Sequence, residues 1–117
     1  MRTSLLLLFL ASGATLAADE SAERQIDFGL KVAQKGLWQE ARFRFERAAK
    51  AEPQNAAALN DLAVALEQMG DFAGARQAYE KALELKPNDT YIQQNYDLFR
   101  EADDKRNRKN KKKRPTP

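Results

Sequence analysis

Along residues 22–104, apolar and polar side chains follow the three-to-four-residue spacing of amphipathic helices. Apolar side chains recur with this spacing before Gly36 and again before Gly70, and a second apolar face follows each glycine. Glycine readily adopts the positive φ that ends a helix, whereas proline cannot continue a helix interior. The pattern therefore predicts two helical pairs, each with a glycine turn inside it, bounded by Pro53 and Pro87.

The two helical pairs are copies of one unit. Residues 36–55 align without a gap on residues 70–89, at an offset of 34 residues. Six aligned columns agree in chemical type; they are Gly36 with Gly70, Trp38 with Phe72, Ala41 with Ala75, Phe45 with Tyr79, Ala48 with Ala82, and Pro53 with Pro87. Repetition at a fixed period indicates a helical array in which neighbouring pairs stack on one another.

This unit resembles the tetratricopeptide repeat, which has the same period and a pattern that runs through Trp, Leu-Gly, Tyr and Ala to Pro. The second copy fits the pattern well, whereas the first has polar Gln25 where the family prefers Trp or Leu. A third copy begins at Thr90 and stops after one helix, in which Ile92, Tyr96 and Phe99 are spaced to cover the second copy. The resemblance implies an all-α fold, a short α-solenoid of two helix-turn-helix units plus a C-terminal capping helix.

The chain is thereby divided into five segments. They are a signal peptide at 1–17, a first repeat at 22–55, a second at 56–89, the capping helix at 90–104 and a disordered basic tail at 105–117. The signal peptide is indicated by basic Arg2, by an apolar run from Leu5 to Leu16 and by small residues at a cleavage site near Ala17. A membrane span needs about 20 apolar residues, so this run is short for one. We expect an exported protein, periplasmic or secreted; the alternatives are an uncleaved anchor, or a buried core helix of an intracellular chain.

The net charge of +3 hides two regions of opposite sign. Residues 18–104 contain eleven basic and seventeen acidic residues, a net charge of −6, whereas residues 105–117 contain eight basic residues and no acidic one. The basic residues are Lys105, Arg106, Arg108, Lys109, Lys111, Lys112, Lys113 and Arg114. Because this tail has no apolar residue except its prolines, we expect it to be disordered. It could tether the protein to an anionic surface (a membrane, an envelope polymer or a nucleic acid), contact the acidic body loosely, or only aid solubility.

The sequence contains no recognisable catalytic constellation. Histidine and cysteine are both absent, so the commonest general base and any thiol nucleophile or thiolate metal ligand are missing. Carboxylates do occur in pairs, as at Asp103 and Asp104, but we expect these two to be solvated at a helix end. We therefore predict a protein that is not an enzyme and that has no cofactor, metal site or small-molecule substrate.

The resemblance also implies a binding surface, because in this family the first helix of each pair lines a concave groove for another protein or peptide. The implied groove residues are Asp27, Leu30, Asn60, Asp61, Val64, Glu67 and Asn95. Asp27, Asp61 and Asn95 are one period apart; they could bind an extended peptide, or instead solvate the groove or bond to neighbouring helices. Since the two aspartates would repel a C-terminal carboxylate, we expect a neutral or basic segment.

Two further expectations concern the outer surface and the assembly. Phe43 lies about 200° from Phe45 around the helix axis, so we expect it to be exposed and a candidate contact for a partner. Single exposed apolar residues are nonetheless common. Two and a half repeats are few for an array that normally needs three, so a weak homo-oligomer is also expected.

Overall fold

The structure, a computed structural model, describes residues 21–116. Within this range the chain forms five α-helices and no strand. They are α1 (Ala22–Gln34), α2 (Trp38–Ala51), α3 (Ala56–Gln68), α4 (Phe72–Leu85) and α5 (Thr90–Lys113). The predicted signal peptide lies outside the described residues. None of the five helices is both long enough and apolar enough to cross a membrane.

A glycine closes the turn inside each helical pair. Gly36 has a φ of 76° and Gly70 a φ of 82°, which confirms the predicted positive values. In the first pair the Leu37 N–H donates to the Val32 carbonyl at 3.0 Å, and the second pair repeats this bond. This hydrogen-bond pattern is the Schellman motif, which satisfies the last carbonyls of a helix. The turn reverses the chain, so α2 packs on α1 and α4 packs on α3.

Local signals at the helix ends separate one pair from the next. Asn55, Asp71 and Asp89 cap α3, α4 and α5, each accepting a backbone N–H three residues further along at 3.0 to 3.1 Å. Pro53 and Pro87 follow the last residues of α2 and α4 by two positions, and the residue before each proline has left the helical conformation, with φ of −133° and −135°. The prolines therefore end the second helix of each pair, as the sequence pattern predicts.

Alanine and aromatic side chains fill the space between the helices. Phe45 is 2% exposed and Tyr79 is 1% exposed, as their shared column in the repeat predicts. Trp38 and Phe72 are half-buried and pack against the clusters that contain these two rings. Fully buried alanines lie where the helices cross, since a small side chain allows close approach. The predicted all-α solenoid of stacked helical pairs is confirmed.

The first part of α5 covers the second helical pair. Ile92 is 2% exposed and Phe99 is fully buried. The ring centroids of Tyr96 and Phe99 lie 5.9 and 5.5 Å from that of Tyr79. Aromatic pairs at such distances stabilise a core by about 0.5–1.5 kcal/mol beyond area burial. The predicted cover by Ile92, Tyr96 and Phe99 is therefore confirmed.

The prediction of a disordered tail from Lys105 is wrong, because α5 continues without a break to Lys113. Arg106 lies against the body of the solenoid: its guanidinium carbon is 3.5 Å from the Phe72 ring centroid, and its Nη2 donates to Asp103 Oδ1 at 3.1 Å. Beyond this contact the last turn is rich in lysine, and cations at a helix C-terminus interact favourably with the helix dipole.

Candidate peptide-binding groove

The open faces of α1, α3 and α5 form a groove along one side of the solenoid. The three helices lie side by side, with α3 touching both of the others. Residues spaced by four and then three positions share one face of a helix. We call the surface made by these faces the groove; it comprises Glu23, Asp27 and Leu30 of α1, Ala57, Asp61 and Val64 of α3, and Tyr91, Asn95 and Leu98 of α5.

Three carboxylates in the groove have no basic partner among residues 21–116. Glu23 and Asp27 are exposed and Asp61 is half-buried, and no Lys or Arg of this range lies within ion-pairing distance of any of them. Among the other carboxylates of residues 21–116, those of Glu40, Glu46, Glu101 and Asp103 have such partners, and the rest, like those of the groove, have none. Burial raises the pKa of Asp61 to about 6, opposed by a hydrogen bond from the Asn60 side chain. At neutral pH the groove therefore carries uncompensated negative charge.

Asn60 is not a groove contact, and its prediction as one is wrong. It is only 2% exposed, because it lies between α3 and α5 with its Oδ1 accepting from Asn95 Nδ2 at 3.1 Å. Asn95 is half-buried and uses its amide in this bond. Of the alternatives that the sequence left open for Asn95, the structure shows the bond to a neighbouring helix.

Glu67 lies at the edge of the groove and is held there by a buried hydroxyl. The Tyr79 O–H donates to Glu67 Oε2 at 3.0 Å. Burial, together with the nearby Glu67 and Asp61 carboxylates, raises the pKa of Tyr79 well above its ordinary value. The phenol therefore stays protonated and remains a donor, which fixes the Glu67 carboxylate and keeps its charge near Asp61.

Apolar side chains occupy the neighbouring positions of the groove. Leu30 is 43% exposed and Leu98 is 67% exposed, while Val64 is half-buried against the core. Tyr91, at the start of α5, is 65% exposed. The predicted groove set contains Leu30 and Val64 but not Tyr91, because the aligned residue of the second repeat, Ala57, gives no sign of an aromatic position.

Phe43 is exposed as predicted, but it lies outside the groove on α2. It is 44% exposed and borders a shallow surface cavity together with Leu37 and Met69. The guanidinium carbons of Arg44 and Arg47 lie 5.6 and 5.5 Å from its ring centroid. Cations at this distance from a ring face are attracted to it. Contact of Phe43 with a partner stays a prediction.

Asp103 is the centre of an ion-pair cluster, so its prediction as a solvated carboxylate is wrong. It is 8% exposed, and Arg76 Nη2 donates to its Oδ2 at 2.8 Å while Arg106 binds Oδ1. The hydrogen bond from Arg76, reinforced by Arg106, holds the pKa of Asp103 below its usual range. Arg76 is far from Asp103 in sequence and lies on another helix, so helical periodicity alone could not reveal the pair.

The basic end of α5 is divided between engaged and exposed side chains. Arg106 packs on Phe72 and is half-buried, so its predicted role as a free contact to an anionic surface is corrected. Lys105 Nζ lies 3.3 Å from Glu101 Oε1. The other predicted tail residues are exposed; they are Arg108, Lys109, Lys111, Lys112, Lys113 and Arg114.

The groove combines negative charge with exposed apolar surface. Within residues 21–116 no three His, Cys, Asp or Glu side chains converge in a way that could hold a metal ion. What the groove presents to a ligand is the carboxylates of Asp27 and Asp61 next to the side chains of Leu30, Tyr91 and Leu98. Such a surface suits recognition of another chain, since it pairs directional acceptors with area to bury.

Helical pairs of a 34-residue period, stacked so that the first helices line an open groove, define an α-solenoid repeat protein. Compared with known protein families, residues 26–90 match the tetratricopeptide repeat, and this match spans more than half of the chain. The chain therefore belongs to the tetratricopeptide repeat family, whose members are generally non-catalytic and typically bind other proteins or peptides. A search of curated proteins found no match to it.

Proposed function

We propose that this protein is an exported, non-catalytic interaction module that binds a neutral or basic peptide segment of another protein in the groove. The observation that carries the proposal is the presence of Asp27 and Asp61 in an open groove without a basic partner among the described residues. A ligand that supplies a Lys or Arg side chain would compensate these charges. A ligand that presents a carboxylate would be repelled by them.

The groove assignment can be tested by site-specific photo-crosslinking. Replacing Ala57 with p-benzoylphenylalanine places a reactive group on the groove face, and replacing Ala51, which is exposed at the end of α2, provides the matched control. We expect the Ala57 variant, expressed in the native host, to label a defined partner, and the charge reversal D27K/D61K to abolish that labelling. No labelling, or equal labelling at Ala51, would contradict the proposal.

Export is supported by the N-terminal sequence, with its basic start, apolar run and small-residue exit. If the protein is exported through cleavage, mass spectrometry of the protein isolated from its host should find a chain that begins near Ala18. A mature chain that begins at Met1 would contradict cleavage and return the protein to the intracellular or anchored alternatives.

A second candidate function is contact with an anionic surface through the basic end of α5. The observation that favours it is the exposure of six Lys and Arg side chains between Arg108 and Arg114, none of which has an ion pair within residues 21–116. Several basic residues at the C-terminal end of one helix concentrate positive charge over a short length, which favours binding to phosphate-rich surfaces.

Salt dependence separates the two candidate functions. Contacts with phosphates weaken steeply as salt rises, whereas binding in a groove that also buries apolar surface should change modestly. Removal of residues 107–117 spares Arg106 and its contact with Phe72, so the solenoid should stay intact. We expect this truncation to abolish binding to anionic vesicles and to leave crosslinking from Ala57 unchanged. Crosslinking that is lost with the truncation would make the basic end the primary binding element.

A further inference from the structure

Leu30, Val64 and Leu98 form an apolar row across the groove. They are spaced by one 34-residue period, so each comes from a different helix, and each lies three residues after a member of the column Asp27, Asp61 and Asn95. We call this row the ladder. Leu30 is 43% exposed and Leu98 is 67% exposed, while the middle member, Val64, packs against the core. The family resemblance, which implies that the first helices line the groove, places Leu30, Val64 and Leu98 there but does not identify a row.

Core packing does not account for the two outer members of the ladder. Neither Leu30 nor Leu98 belongs to a hydrophobic cluster of the described chain. A single exposed leucine needs no explanation, but here α1, α3 and α5 each carry an apolar side chain at the same repeat position, forming a strip that is exposed at Leu30 and Leu98 and half-buried at Val64. Tyr91, 65% exposed on the same face of α5, widens this strip. A strip of this kind gains stability when an apolar ligand covers it.

Negative charge runs parallel to the ladder, one helical turn away. Asp27 and Asp61 lack a basic partner within residues 21–116, and the Glu67 carboxylate is fixed at the groove edge by Tyr79. Lys105, a cation that follows the groove on α5, is engaged with Glu101. A ligand that covers the ladder would therefore place its neighbouring side chains next to uncompensated carboxylates, which favours Lys or Arg at those places.

The spacing between helices selects the conformation of such a ligand. Helices in contact, as α1 is with α3 and α3 is with α5, have axes about 8–10 Å apart, so we expect successive members of the ladder to be separated by about that distance. A polyproline II segment returns to the same face every three residues, a rise of about 9 Å. A β-strand returns to the same face after about 6.7 Å, which fits less well. A ligand in polyproline II conformation can thus place one side chain on each member of the ladder.

From these observations we infer that the groove binds an extended, polyproline II-like segment with an aliphatic side chain at every third residue and a Lys or Arg beside it. The aliphatic side chains cover Leu30, Val64 and Leu98, and the basic side chains approach Asp27 and Asp61. This inference rests on the proposed function and names the class of segment that the groove selects.

A set of designed peptides tests the inference directly. The probe is a fluorescein-labelled peptide in which Leu-Lys-Pro is repeated three times, and its binding to the full chain is measured by fluorescence anisotropy. Replacing each Lys by Glu removes the charge complementarity, and replacing each Leu by Ser removes the apolar contact. We expect each replacement to weaken binding roughly tenfold or more. Equal binding of the Glu peptide or of the Ser peptide would overturn the inference.

Variants of the protein show which residues contact the peptide. The double variant L30Q/L98Q removes the two exposed members of the ladder, and L37Q is the matched control because Leu37 is 53% exposed in the turn between α1 and α2. Substitutions at such exposed positions should leave the fold intact. We expect L30Q/L98Q to weaken binding of the Leu-Lys-Pro probe roughly tenfold or more. We expect L37Q to keep an affinity for the probe within about twofold of the wild type. Unchanged binding by L30Q/L98Q would overturn the inference.

The outcome also separates this inference from the proposed function. If the Ala57 crosslinker captures a partner in the groove but none of the three peptides binds, the ligand class is wrong and the groove function stands. If the crosslinker captures nothing and no peptide binds, both the inference and the proposed groove function are wrong. Binding of the Leu-Lys-Pro probe that is lost in L30Q/L98Q supports both.

Discussion

The properties of Asp61 follow from its surroundings rather than from its residue type. The Asn60 side chain bonds to its carboxylate, and the Tyr79 hydroxyl, which donates to Glu67, is near enough for the Asp61 charge to act on it. Withdrawal from water raises its pKa to about 6, so the carboxyl is ionised at neutral pH and increasingly protonated below pH 6. The groove therefore becomes more negative as the pH rises through this value.

This shift predicts a pH-dependent effect of D61N on stability. The folded-state pKa is above the value near 3.9 expected in the unfolded chain, so the contribution of Asp61 is fully present below about pH 4 and is lost as the pH rises through about 6. We expect D61N to match the wild type near pH 4 and to exceed it in free energy of unfolding at pH 7 to 8, measured by urea denaturation. D27N, at the exposed member of the column, should change stability by less than about 0.5 kcal/mol. A D61N variant that is less stable than the wild type at pH 8 would contradict the account.

Gly29 makes a sharper prediction about packing. A Cβ at this position would lie 2.5 Å from Cε1 of Phe45, a ring that is 2% exposed, so the ring or the helix would have to shift. Alanine is about 1 kcal/mol more favourable than glycine in a helix interior, but the overlap with the ring should outweigh this gain. We expect G29A to lower the free energy of unfolding by about 1–2 kcal/mol.

The F45L variant, in which a smaller side chain replaces the Phe45 ring, provides the control for G29A. In the F45L background the added methyl group has space, so the cost of G29A should fall or change sign in a double-mutant cycle. An equal cost of G29A in both backgrounds would mean that contact with Phe45 is not its cause.

At the residue scale, the sequence predicts correctly which side chains are buried or exposed where this follows from their position in the repeat. Phe45 and Tyr79 share a column of the repeat and are both buried, while Phe43 falls on the opposite face and is exposed. Asn60 and Asp103 were assigned wrongly because their burial depends on a partner from another helix, Asn95 in one case and Arg76 in the other. Helical periodicity carries no information about such pairs.

At the scale of elements, α5 is the helix that the sequence predicted least well. Low hydrophobicity and a run of basic residues favour disorder after Asp104. The helix instead continues to Lys113, because Arg106 both stacks on Phe72 and bonds to Asp103, which itself binds Arg76. These contacts order the turn from which the basic end then extends.

The Asp103 cluster predicts how the end of α5 responds to mutation. D103N removes the charge that binds two guanidinium groups, and hydrogen bonds to charged groups contribute about 1.5–3 kcal/mol each. We expect amide hydrogen exchange across residues 103–113 to become about tenfold faster or more, while α1 to α4 change little. D104N is the matched control, because Asp104 is exposed beside it.

The contribution of Asp103 to stability depends on pH with the opposite sign to that of Asp61. Because the two arginines lower the pKa of Asp103, its contribution is present above the unfolded value near 3.9 and is lost as the pH falls below it. The difference in exchange between wild type and D103N should therefore shrink as the pH falls below that value. A difference that does not shrink there would mean that the effect of D103N is not electrostatic.

At the scale of the whole molecule, the structure separates three surfaces. The groove carries the acidic column and the ladder, the turn side carries Phe43 and Leu37, and the end of α5 carries the exposed basic residues. The repeat period predicted the groove, since its faces follow from the helix order alone. The ladder became visible only when side-chain exposure showed that Leu30 and Leu98 are not used in the core. The expected weak homo-oligomer stays a prediction.

The most direct measurement of the central claim is a two-dimensional ¹⁵N–¹H NMR titration of the full chain with the Leu-Lys-Pro peptide. The account predicts chemical-shift changes in the amides of the groove faces of α1, α3 and α5, centred on Leu30, Val64 and Leu98, with Leu37 and Phe43 unaffected. Shift changes confined to the turn side or to residues 108–114, with the groove amides unmoved, would contradict it.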